Sequence, residues 1–166
     1  MDRTFFYDFY SDGKNPHELE QNYGLVRSDY SPKPAYFALQ HLCTLLPGDS
    51  KSTAVGVGVN RLWPRTNPGI SENETAANAL LNTPQTYAFR RPDGTRVVFF
   101  WQPGRIFGDA QEELADLTLS LPAGEILEVG RVVSRQTLSP KITREGQLLK
   151  IAELPYGSDP VYVVVR

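Results

Sequence analysis

A chain of 166 residues has room for one ordinary domain, or for one domain with an appendage. Its 40% apolar and 11% aromatic content suffices for a packed core and excludes wholesale disorder. A formal charge of −2 with no basic run leaves no electrostatic case for nucleic acid, and no apolar run reaches the roughly 18 residues of a membrane span.

In chain order, the first signal is Phe5 to Phe9, aromatic throughout except Asp8. An apolar run of this kind predicts a strand buried on both faces, as parallel strands are. Turn chemistry follows in Ser11-Asp12-Gly13-Lys14-Asn15-Pro16. Pro34 suits a first helical turn, and Ala35, Ala38, Leu39, Leu42, Leu45 and Leu46 recur at three- and four-residue spacing until Pro47-Gly48-Asp49 stops the helix. Cys43 lies among these leucines and is expected to be a small buried apolar residue. Lys51-Ser52 reads as a linker.

Beyond it the period changes to two. Ala54 to Val59 alternates and predicts the first strand of a second unit. Residues 62–84 read as an irregular loop around Pro64 and Pro68, followed by a short helix over Glu74 to Leu81. Thr86 to Arg90 and Arg96 to Trp101 flank Arg91-Pro92-Asp93-Gly94, a hairpin signal in which Asp-Gly closes the turn. Asp109 to Asp116 reads as an acidic loop or a single helical turn without the oxygen spacing of a calcium site. Leu117, Leu119 and Leu121 then alternate with polar residues. Ile126 to Val133, Gln147 to Ala152 and Pro160 to Val165 supply further strands, with a turn at Glu145-Gly146. Six to eight strands at about ten-residue spacing predict an antiparallel β-sandwich, so the chain is expected to be mainly β.

The order of elements over residues 5–46 resembles the last strand, long loop and last helix of a (β/α)8 barrel. The motifs Phe6-Tyr7-Asp8, Asp12-Gly13, Glu20, Tyr23-Gly24-Leu25, Pro32-Lys33-Pro34-Ala35-Tyr36 and Ala38-Leu39 resemble the closing pattern of clan-A retaining glycoside hydrolases. The resemblance implies two units: residues 1–50, the terminal βα unit of such a barrel, and residues 51–166, the accessory β-sandwich that trails it. It also implies a non-catalytic role for this chain, because both catalytic glutamates of the clan come from the fourth and seventh barrel strands, ahead of Met1. Glu18 and Glu20, in the loop after the last strand, do not replace them. The sequence therefore names no catalytic residue.

Sugar contact is the chemistry that remains, because an aromatic ring offers an apolar face to the C–H face of a pyranose. Phe6 and Tyr7 occupy the place where the clan usually has a Trp-Tyr pair, and this departure favours packing over sugar binding. Trp63, beside Pro64 in a loop, is the better candidate for exposure. Trp101 shares a strand face with Phe99 while Phe100 points the other way, so each face of that strand needs a cover, and Trp101 is expected to be buried in the core or at an interdomain contact. Phe6, Tyr7, Trp63 and Trp101 are the candidate substrate-binding residues. His17, His41 and Cys43 lack ligand spacing, so neither a metal nor a cofactor is implied. Expected partners are carbohydrate and either the rest of a barrel or a second copy of the chain. No signal-peptide pattern opens the sequence, which leaves the compartment undefined. The competing expectation is a free-standing carbohydrate-binding or dimerising module, in which the aromatic strand would have to pair elsewhere.

Overall fold

The computed structural model describes residues 8–15, 17–61, 84–102, 113–121, 124–157 and 159–166. Phe6, Tyr7 and Trp63, most of the aromatic strand, the helix expected over 74–81 and the first half of the acidic stretch lie outside them.

The described residues form two antiparallel sheets, with one helix on the outer face of the larger. Strands β1 (Lys51–Ser52), β3 (Gln85–Arg90), β4 (Arg96–Trp101), β9 (Val161–Val165) and β6 (Ile126–Arg131) lie side by side in that order. Strands β2 (Gly56–Arg61), β5 (Glu113–Ser120), β8 (Leu148–Tyr156) and β7 (Lys141–Glu145) form the second sheet. The inner core between the sheets is built from alternate residues, among them Val98, Phe100, Leu117, Leu119, Ile151 and Val163. A mainly β sandwich is therefore the observed architecture.

The hairpin of β3 and β4 forms where its turn residues require it. Gly94 closes the turn at φ +85°, and the Asp93 carboxylate accepts from the Thr95 N–H and hydroxyl at 2.9 and 2.7 Å. Gly146 does the same between β7 and β8, at φ +61°. Strand β8 runs past Ala152 to Tyr156 because a bulge absorbs a register mismatch with β5. Glu153 takes φ +53° there, and its N–H donates to the Asp116 carboxylate at 3.0 Å.

Helix α1 (Pro34–Leu45) begins at Pro34, as the sequence predicts, and ends just before Pro47. It supplies the second cover that β4 needs. Strands β4 and β9 are apolar on both faces: Val98 and Phe100 face the second sheet, whereas Val97, Phe99, Tyr162 and Val164 pack with Leu45 and Val132 on the outer side. Leu42 and Leu46 complete this second cluster. Polar contacts fix the docking. Arg91 Nε donates to the Leu45 carbonyl at 2.7 Å, satisfying one of the carbonyls that the helix end leaves free. His41 Nδ1 lies 3.0 Å from the Val132 carbonyl, which makes Nδ1 the protonated nitrogen. The Arg135 guanidinium stands 5.1 Å from the Phe37 ring centroid.

Three local expectations are corrected. Cys43 is exposed, because at about 100° per residue it falls on the far side of the helix from Leu45. Lys51-Ser52 is not a linker but edge strand β1, paired with Arg90 and Phe89. Residues 113–116 are neither loop nor helical turn: they begin β5, where buried Ala115 extends the alternation of Leu117 and Leu119 backwards.

Candidate functional site

Ahead of the helix, the chain from Asp8 to Lys33 folds back on itself. Tyr10 forms a parallel bridge with Val26, closed by Val26 N–H to the Phe9 carbonyl and Ser11 N–H to the Val26 carbonyl, both 3.0 Å. Val26 in turn bridges Pro32 in antiparallel sense. A strand end, a loop with a 3₁₀ turn at Glu20–Asn22, and a second extended piece thus precede the helix. Gly24 is buried where the backbone of Tyr10 and Ser11 crosses it, leaving no space for a Cβ.

The loop encloses an open recess of about 500 Å³ lined by Ser11, Lys14, Asn22, Arg27, Asp29 and Lys33 among others. Lys33, immediately before the helix, is the key to its shape. Its ammonium donates to the buried Ser11 hydroxyl at 2.6 Å and to the Asn22 carbonyl at 2.8 Å, so one side chain ties the strand end, the loop and the helix start together. Both acceptors are neutral. Arg27 is held by the Pro32 carbonyl at 3.0 Å and the Ser31 hydroxyl at 3.3 Å. Asp29 accepts from the Ser31 hydroxyl and N–H at 2.6 and 2.9 Å, and these hydrogen bonds hold its carboxyl below the usual range. It remains a carboxylate at neutral pH. Beside Asp29, Tyr30 is 78% exposed and takes φ +65°, an unusual backbone conformation for an aromatic residue. Its ring lies 5.3 Å from that of Tyr10, whose hydroxyl donates to the Ser28 carbonyl.

A second aromatic feature lies on the outer sheet face. Trp101 is half-buried at the margin of the outer cluster and stacks on Tyr87, with ring centroids 5.5 Å apart and planes 20° apart. The expectation of burial is met in part: Trp101 packs against the outer cluster that contains Leu45 of α1, but the helix shields Phe99, two residues earlier, more fully, and Tyr87 remains 53% exposed. Of the four sequence candidates, Trp101 alone falls among the described residues, and nothing brings it to the recess.

Sequence reasoning missed the recess because its members span 22 positions, from Ser11 to Lys33, with no recurrent spacing. The available signal was Lys33 between Pro32 and Pro34: a cation fixed at a helix start needs acceptors upstream. Among the described residues no group of three or more His, Cys, Asp or Glu is placed to hold a metal ion. Comparison with models of known protein families gives no match, and comparison with curated proteins gives none either.

Proposed function

We propose that the chain is the non-catalytic C-terminal portion of a glycoside hydrolase. In this reading the strand-loop-helix segment closes a (β/α)8 barrel, and the β-sandwich grips that segment's helix from outside and stabilises it. The observation that carries the reading is the double-sided setting of α1. Leu42, Leu45 and Leu46 dock on the outer sheet face, fixed by Arg91 and His41, while Gln40, Cys43 and Thr44 are exposed. A helix shared between a barrel and an accessory domain needs such a setting, with one side already taken by the sandwich. The parallel bridge between Tyr10 and Val26, and the Lys33 tie across the loop, support a βα unit at this point.

Retaining hydrolysis needs two carboxylates about 5–5.5 Å apart. The clan takes both from other barrel strands, so this chain by itself is expected to leave glycosides intact. The aromatic pair Tyr87–Trp101 gives the sandwich a surface on which a polysaccharide ring can lie.

The test is the mass of the native protein in its source, by immunoblot with an antibody raised against the sandwich. A band several times heavier than 18.6 kDa is expected. A band at that mass overturns the reading in favour of a free-standing carbohydrate-binding or dimerising module. The observation on that side is the set of exposed aromatic side chains at Phe9, Tyr23 and Tyr30, which a second copy of the chain would cover.

A further inference from the structure

We infer that the recess between Ser11 and Lys33 is a binding site for a small sugar acid, a polyhydroxylated ligand carrying one carboxylate. Among the described residues, three cations, Lys14, Arg27 and Lys33, line it against one carboxylate, Asp29, in a chain whose overall charge is −2. An excess of cations among these lining side chains favours an anion at this place. An ammonium has three donors, and Lys33 uses two of them on neutral oxygens, with no carboxylate paired to it among the described residues. A ligand carboxylate can meet the third donor through a charge-assisted hydrogen bond.

The remaining lining suits hydroxyl groups rather than a bare ion. The Asp29 carboxylate and the side-chain oxygen of Asn22 can accept from hydroxyl groups, the Asn22 amide N–H groups being given to the Asn15 and Glu18 carbonyls at 2.7 Å each. A volume of about 500 Å³ lies within the range of small-molecule sites, ample for one monosaccharide. Tyr30, next in sequence to the lining residue Asp29, is exposed, its ring tilted 31° to that of Tyr10, and offers an apolar face to a sugar ring. Its positive φ is a local strain of the kind that gathers at ligand sites.

This inference rests on the recess and not on the glycosidase reading. The two fail separately, because native mass tests one and titration of the purified chain tests the other. The experiment is a calorimetric titration of the whole chain with D-glucuronate, with D-glucose and inorganic phosphate as the other two probes. Glucuronate is expected to bind saturably, more tightly at low salt, and at least tenfold more tightly than either glucose or phosphate. The variants Lys14→Ala and Arg27→Gln are each expected to weaken glucuronate roughly five- to tenfold, the loss of one charge-assisted contact. Lys14 is exposed and makes no hydrogen bond among the described residues, so its variant keeps the fold, and an unchanged circular dichroism spectrum verifies this. Absence of saturable glucuronate binding overturns the proposal. Phosphate binding equal to glucuronate also overturns it, leaving a simple oxyanion site, and so does glucuronate binding that Lys14→Ala leaves unchanged.

Discussion

Tyr162 shows how one residue couples the outer sheet face to its neighbours. It is 2% exposed on β9, its ring meets His41 edge-on at 5.5 Å, and its hydroxyl donates to Glu128 Oε1 at 2.5 Å. The register places Gly130 opposite, and a Cβ there would stand 2.6 Å from the phenol oxygen, so glycine is what allows the ring to lie across β6. Burial, followed by the hydrogen bond to Glu128, pushes the phenol well above its ordinary range. The consequence for stability has a definite sign. An unfolded tyrosine releases its proton near pH 10, whereas the folded chain retains it. The contribution is complete below about pH 10 and is lost progressively above it, as the pH rises toward the folded value. A spectrophotometric titration should therefore find a phenol that ionises later in the native chain than in denaturant. Tyr162→Phe should abolish that difference. If the native and denatured titrations coincide in the wild-type chain, Tyr162 is not buried as described.

At the scale of elements, docking of α1 is the interaction that joins the two ends of the sequence. Leu45 is 4% exposed and packs with Val97, Phe99, Tyr162 and Val164, while Arg91 reaches from the hairpin turn to the Leu45 carbonyl. Truncating a buried leucine leaves a cavity as well as forfeiting transfer energy, so Leu45→Ala should cost about 2–4 kcal/mol in urea unfolding. Arg91→Ala should cost about 1 kcal/mol for one charge-assisted bond at a partly exposed site. Because both act on one contact, their effects should fall short of additivity; strict additivity would mean that Arg91 serves the hairpin and not the helix. Much of this was legible beforehand. Pro34 and the leucine spacing gave the helix, Asp93-Gly94 gave the hairpin, and Leu117-Leu119 gave an inward face. The runs Arg96-Val-Val-Phe-Phe-Trp101 and Val161-Tyr-Val-Val-Val165 also signalled covers on both sides, since they lack polar alternation. What was not legible was that the cover is this helix. Spacing alone does not say which side of α1 meets the sheet, and so Cys43 was assigned to the wrong one. The recess was hidden for a related reason: its charges are gathered by backbone crossings around Gly24, and such crossings leave no periodic trace in sequence.

Across the whole molecule, the layers share strands rather than meeting as separate blocks. The inner cluster uses Val98 and Phe100, the outer cluster uses Val97 and Phe99, and all four belong to β4. Losing the helix exposes one face of β4 and β9, and losing the second sheet exposes the other, so neither cluster is stable without the strands that serve both. Two of the four sheet margins add little to association: β1 is two residues long, and β7 is exposed throughout with Lys141, Arg144 and Glu145 along it. The chain is thus expected to unfold in one step that includes residues 34–46. Trp101 is a suitable reporter, since it borders the outer cluster and, in a Trp63→Phe background, becomes the only tryptophan of the two in the chain. Its fluorescence and the far-ultraviolet dichroism should trace one coincident transition in urea. Leu45→Ala should shift both curves together without separating them. If instead helical dichroism is lost at lower urea than the fluorescence change, the helix is only laid on the sheet. A sandwich that grips the preceding unit would then lack the coupling that the shared strands of β4 and β9 supply.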